Sequence, residues 1–183
     1  MGAYCINASG KSIPVYSDNT LTTKIGTIYT YECFAYVERW SGSHAYYPNT
    51  VDMVYFRTSS GTCTTGWILN TGAGEETSFL NYSFGTIMVD GVAYKILKSR
   101  SARSCYDASG TWTATCPSGA RILTNDTTPG QSHPERMMAM FYETGVGTGV
   151  FKAVSGSASS HGFINSGIDG GSLSTAIGIY GNW

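Results

Sequence analysis

The feature that most constrains this chain is a strand–turn–strand segment that occurs twice. Val51-Asp52-Met53-Val54-Tyr55-Phe56-Arg57-Thr58 is dense in β-branched and aromatic residues, turns at Ser59-Ser60-Gly61, and runs on to Gly66-Trp67-Ile68. That composition around a Gly-containing turn predicts a β-hairpin. The same construction returns as Met138-Ala139-Met140-Phe141-Tyr142-Glu143-Thr144-Gly145, ending in Gly162-Phe163-Ile164. In both, the large ring before Ile (Trp67, Phe163) is expected to close the core.

Other landmarks recur in the same order. Ala3-Tyr4-Cys5-Ile6-Asn7-Ala8-Ser9 aligns with Ala93-Tyr94-Lys95-Ile96-Leu97-Lys98-Ser99, and Tyr16-Ser17-Asp18 with Tyr106-Asp107-Ala108. Ile25-Gly26-Thr27-Ile28 aligns, slightly shifted, with Ser118-Gly119-Ala120-Arg121-Ile122. Ordered self-similarity of this kind reads as two copies of one small β unit, with drift absorbed in loops. No long stretch carries a helical period, whereas turn signals recur about every ten residues. The expected fold is all-β: two tandem small barrels, over 1–70 and 92–183. Residues 71–91 between them are a linker and a hairpin strand. Asn70 to Ser78 is Gly- and Thr-rich, as linkers are. Asp90-Gly91 between two apolar runs predicts a type I′ turn, because both residues accept positive φ.

Composition then limits the surface. The apolar share of 42% is enough for a packed core, but only 13% of residues are charged and the net charge is −1. Nucleic acid is not an expected partner, since phosphate binding needs a cationic face. No apolar run approaches the roughly 18–20 residues that span a bilayer, so no membrane partner is expected. Met1 leads straight into strand-like sequence with no basic start and apolar stretch, so no signal peptide is expected. A polar, uncharged, Tyr-rich surface suits a neutral ligand such as a glycan, and equally suits the exterior of an ordinary all-β protein.

Motifs for chemistry are sparse. The cysteines Cys5, Cys33, Cys63, Cys105 and Cys116 are odd in number and lack a Cys-x-x-Cys pair. They read as structural or free thiols, with Cys105 and Cys116 placed to pair across a hairpin. His44, His133 and His161 are far apart in sequence, so no metal site and no cofactor are expected. Cys33 lies in an alternating strand and reads as core, not as a nucleophile. There is no metalloprotease helix motif, nucleophile elbow or phosphate loop. The chain reads as a non-enzyme with no catalytic residues. Binding residues are sought among loop aromatics. Trp40, His44, Tyr46 and Tyr47 gather in one Gly/Ser-rich loop, where they either form a stacking surface or fold back onto the core.

Each copy resembles a bacterial SH3-type (SH3b) domain. The resemblance rests on the entry turn Ile13-Pro14-Val15-Tyr16-Ser17-Asp18-Asn19 and the strand Ile25-Gly26-Thr27-Ile28. It also rests on the closing hairpin Tyr55-Phe56-Arg57-Thr58 into Gly66-Trp67-Ile68. It covers most of 3–69 and, more loosely, 93–165. The family's Asn-x-Arg-x-Gly-Pro entry is absent, and Phe163 replaces the closing Trp in the second copy. The resemblance implies two SH3-like barrels that bind bacterial peptidoglycan or wall glycan. It further implies the targeting region of a phage endolysin or related wall hydrolase, made in the cytosol and released by lysis. By the same resemblance, Trp112, Tyr16 and Tyr106 lie on the ligand-facing loop after the first strand. The alternative is a phage virion protein of tail, baseplate or capsid, whose partners are virion proteins or further copies of itself as a homo-oligomer. The tail Ile177 to Trp183 distinguishes the two, by covering its own barrel or projecting from it.

Overall fold

Every regular element among the described residues is a β-strand, in a computed structural model that describes residues 4–42, 51–69, 76–78 and 83–168. The fold is all-β. Its first half contributes β1 (Tyr4–Asn7), β2 (Ile13–Tyr16), β3 (Lys24–Ile28), β4 (Cys33–Gly42), β5 (Val51–Arg57), β6 (Cys63–Leu69) and the short β7 (Glu76–Ser78). These form one seven-stranded sheet in the order β3-β2-β6-β5-β4-β1-β7. Residues 76–78, read as linker from the sequence, thus pair antiparallel with β1 at the sheet edge.

The second half contributes β8 (Thr86–Val89), β9 (Val92–Lys98), β10 (Arg103–Tyr106), β11 (Trp112–Cys116) and β12 (Arg121–Thr124). It continues with β13 (Arg136–Ala139), β14 (Phe141–Glu143), β15 (Phe151–Ala153) and β16 (Gly162–Asn165). Two sheets result, β11-β10-β16-β13 and β15-β14-β12-β9-β8. The Asp90-Gly91 turn forms as expected, with φ of 49° and 80° and Val89 opposite Val92.

The halves share a pairing scheme. β1 with β4, β2 with β3, β2 with β6, β4 with β5 and β5 with β6 are matched by β9 with β12, β10 with β11, β10 with β16, β12 with β14 and β13 with β16. Even an irregularity recurs: a register shift falls between Val15 and Tyr16 and again between Cys105 and Tyr106.

Three details differ from the sequence alignment. The partner of β3 in this scheme is β11, not residues 118–122, which lead into β12. Along β1 and β9, the inward residue opposite Phe34 is Cys5, whereas opposite Ile122 it is Leu97, a slide of two residues from the matched Ala-Tyr-x-Ile run. The second hairpin strand breaks at Met140, whose amide donates to Leu123 O and whose carbonyl accepts from Val154 N. β13 therefore stays with β16 while β14 moves to β12 and β15, and one sheet becomes two.

Packing explains why β1 is buried along its whole length. Cys5 faces a core with Val15, Ile28, Phe34, Tyr36, Val54, Phe56 and Ile68. Its neighbours Tyr4 and Ile6 point the other way, as strand alternation requires. With Cys33 and Ala35 they join Leu97, Cys105, Cys116, Ile122, Met137 and Ile164 in a second cluster. The two halves thus share a core, and each fully buried aliphatic side chain there contributes about 1.5–3 kcal/mol. Tyr4 ties the junction, its amide donating to Thr127 O at 3.2 Å and its hydroxyl to Pro134 O. Burial pushes its phenol well above the usual range.

Trp67 and Phe163 stand half-buried, and the adjoining Ile68 and Ile164 fill the core places instead. None of the five cysteines is in a disulfide, so Cys105 and Cys116 are not bridged. Burial pushes both thiols up to about 12.

One charged pair is set into the end of the β12–β14 ladder. Glu143 is fully buried and accepts from Arg121 Nη2 at 2.7 Å, Arg121 Nε at 3.1 Å and Gly149 N at 2.9 Å. The Arg121 hydrogen bonds, against the opposing effect of burial, hold its carboxyl down at about 2.

Candidate functional site

The turn after β10 is built by one aspartate. Asp107 Oδ1 accepts from Ser109 N at 2.9 Å, Ser109 Oγ at 2.6 Å and Thr111 N at 2.9 Å. The backbone closes beneath it, Asp107 N donating to Thr111 O and Gly110 N to Asp107 O. An Asp side chain that satisfies the amides two and four residues on is a compact Asx-type turn. The Ser109 hydroxyl, then the Thr111 amide, lower the Asp107 pKa. The first half repeats the device: Asp18 accepts from Thr20 N at 3.0 Å and from the Thr20 hydroxyl, which lowers its pKa most. The sequence match of Tyr16-Ser17-Asp18 with Tyr106-Asp107-Ala108 therefore reports a real turn in both halves, with the aspartate displaced by one.

Each turn fixes a tyrosine at its base. Tyr16 lies opposite Trp67 and Tyr106 opposite Phe163. In the second half the Arg136 guanidinium stacks on Tyr106, 3.6 Å from the ring centre. That distance is well inside the range of a cation–π contact.

Beside this stack runs a groove of about 590 Å³. One wall is the Asp107 turn at Ala108–Gly110, and the facing wall is Gly130–His133. Arg136, Met138 and Phe163 line it between those walls, and Ser160 and His161 lie at its rim. The facing wall is held tight by Gly130 N donating to Arg136 O and Arg136 N to His133 O, both at 2.9 Å. The rim is held by the Ser155 hydroxyl, which donates toward the carbonyls of Ser157 at 2.8 Å and Ser160 at 2.9 Å. Glu135 lies within 3.0 Å of His133 Nδ1 and 3.8 Å of Arg136 Nε, so an acid steadies the two basic groups.

The groove offers a guanidinium, two imidazoles, serine hydroxyls and an amide around a Met and a Phe. That set suits an uncharged or carboxylate-bearing ligand rich in amides and hydroxyls, since a few polar groups orient it and the apolar surface takes its contact area. No group of three or more metal-ligating side chains occurs among the described residues.

The expected site residues divide three ways. Tyr106 supports the groove through Arg136. Trp112 is 59% exposed on β11, opposite Tyr106 in the ladder, but does not line the groove. Tyr16 holds the corresponding place in the first half. Trp40 belongs to β4, with its side chain outside the described residues, and His44, Tyr46 and Tyr47 lie outside them altogether. From the sequence, His133 and His161 are weighed only as metal ligands, and Arg136 is not distinguished. The available signal was Gly130 and His133-Pro134 placed just before the second hairpin strand. No known protein family, curated protein or solved structure matches the chain.

Proposed function

We propose that this protein is a non-catalytic binding module for the bacterial cell wall, built from two SH3b-like units. Its ligand is peptidoglycan or a wall glycan. The reading rests on the sequence resemblance, and the observation that carries it further is the groove. An arginine braced on Tyr106 stands in a cleft of hydroxyl, amide and imidazole groups, matching a ligand of amides, hydroxyls and occasional carboxylates. A setting beside a wall hydrolase of phage origin follows from the same resemblance. Rigid walls favour such binding, because little ordering entropy remains to be lost.

The test is sedimentation of fluorophore-labelled protein with intact Gram-positive cells and with purified sacculi, wild type against Arg136→Ala. Saturable binding that Arg136→Ala weakens at least about tenfold supports the reading, a loss on the scale of one charge-assisted hydrogen-bonded contact. Absence of binding to every wall preparation, with discrete oligomers by light scattering, overturns it in favour of a virion component.

A further inference from the structure

We infer that the first half carries a second site, at Arg57, which takes a small amino-acid zwitterion. This inference does not rest on the wall-binding reading. A cleft of about 130 Å³ opens at the end of β5, lined by Thr27, Tyr29, Glu32, Arg57, Thr58 and Ser59. At about 30 Å³ per water it holds roughly four waters. A cleft of this size suits a small amino acid such as glycine or alanine.

The second half indicates what such a strand end requires. There β14 ends on Glu143, and the chain supplies Arg121 across the ladder to meet it. In the first half β5 ends on Arg57, and extending the register from Ala35 opposite Tyr55 brings Cys33 across from it. The charge is present but, among the described residues, its partner is not. Among the described residues nothing bonds to the Arg57 guanidinium, and its Nε is buried without a hydrogen-bond partner. A cation held this way favours a carboxylate, which the planar guanidinium takes as a fork.

Glu32 sits in the same cleft but makes no ion pair with Arg57. Its Oε2 accepts from Tyr29 N at 2.7 Å, and its own amide donates to Tyr29 O at 3.0 Å. Tyr31 between them takes a positive φ of 66°. The turn thus fixes one carboxylate oxygen and leaves the other for a ligand ammonium. Opposite charges fixed in a cleft of this size select a molecule carrying both, and Glu32 repels a plain anion. The half-exposed Tyr29 ring forms the remaining wall.

The experiment is a titration of the isotope-labelled full chain with glycine, acetate and methylammonium, followed by amide NMR. Glycine should give saturable shifts at Thr27, Tyr29 and Ser59, with millimolar affinity, as expected for a ligand of this size. Acetate and methylammonium should each bind at least about tenfold more weakly, since each forfeits one charged contact. Arg57→Gln should abolish the glycine shifts, and Arg57→Lys, which keeps charge but not the fork, should weaken them severalfold. Shifts that fail to saturate, acetate binding equal to glycine, or glycine binding that persists in Arg57→Gln or is unchanged in Arg57→Lys would each overturn the inference. The wild-type titration decides by itself should Arg57→Gln fail to fold. The sacculus assay on Arg57→Lys separates this site from the groove.

Discussion

Arg136 rests on the face of Tyr106, its guanidinium carbon 3.6 Å from the ring centre. The contact holds a long, flexible cation in one orientation at the groove, and such contacts are worth about 0.5–2 kcal/mol. Tyr106→Ala should therefore leave the fold intact and weaken ligand binding by roughly three- to thirtyfold, read by sedimentation with sacculi. Tyr106→Phe keeps the ring and should bind like wild type. Equal loss in both variants would show that the hydroxyl, not the stack, matters.

Gly66 and Gly162 hold the same place in their halves and face the same obstacle, the strand that carries the tyrosine. A Cβ on Gly162 would lie 2.5 Å from Tyr106 O, 2.6 Å from Ser155 N and 2.8 Å from Val154 C, all main-chain atoms that cannot yield. On Gly66 it would lie 2.5 Å from a Val15 methyl and 3.0 Å from Tyr16 O. Overpacking costs about 1–3 kcal/mol, and the rigid backbone puts Gly162→Ala at the upper end and Gly66→Ala at the lower. Urea denaturation of both variants checks the order.

The Arg121–Glu143 pair makes stability depend on pH at the acid end. The folded carboxyl titrates at about 2 against an ordinary value of 4.5. Its contribution is fully present above the ordinary value and is lost as the pH falls through 4.5 toward 2. Glu143→Gln should cost about 2 kcal/mol at neutral pH, since Arg121 retains some solvent and Gln keeps part of the hydrogen bonding. The gap between wild type and variant should narrow below pH 4.5 and close as the pH approaches about 2, in urea melts across this range. A gap independent of pH would remove charge from the account.

The shared core predicts one unfolding event. Ile6 belongs to the first sheet but is buried in the cluster that includes Leu97, Cys116 and Ile164. Ile6→Ala should cost about 2–5 kcal/mol as a core cavity does, and should lower the melting of both halves together. Calorimetry of wild type and variant should give a single transition. Two transitions, with only the first displaced, would mean that the halves unfold independently.

Much of the architecture was legible because strands and turns are local. Alternating apolar residues in β5, the positive-φ turn at Asp90-Gly91 and the Tyr-plus-Asp turns each leave a short-range mark. The repeat was legible through them, since Tyr16 with Trp67 and Tyr106 with Phe163 come from the same landmarks. The break at Met140 was not, because it depends on which neighbour takes the next backbone hydrogen bond. Nor was the half-burial of Trp67 and Phe163: alternation says that adjacent residues face opposite ways, but not which of the two ways is inside.

The sequence by itself determined that the chain is all-β, where its main turns fall, and that two similar pairing schemes follow one another. Those properties come from periodicity and backbone preference over a few residues. Only the tertiary structure decided that the outer face of β1 and β4 is buried against the second half, and that Arg136, His133 and His161 meet the Asp107 turn around one groove. It also decided that Arg121 finds Glu143 while Arg57 finds no counterpart among the described residues. Each of these depends on residues far apart in the chain, brought together by strand register and packing, and no local pattern encodes such a meeting.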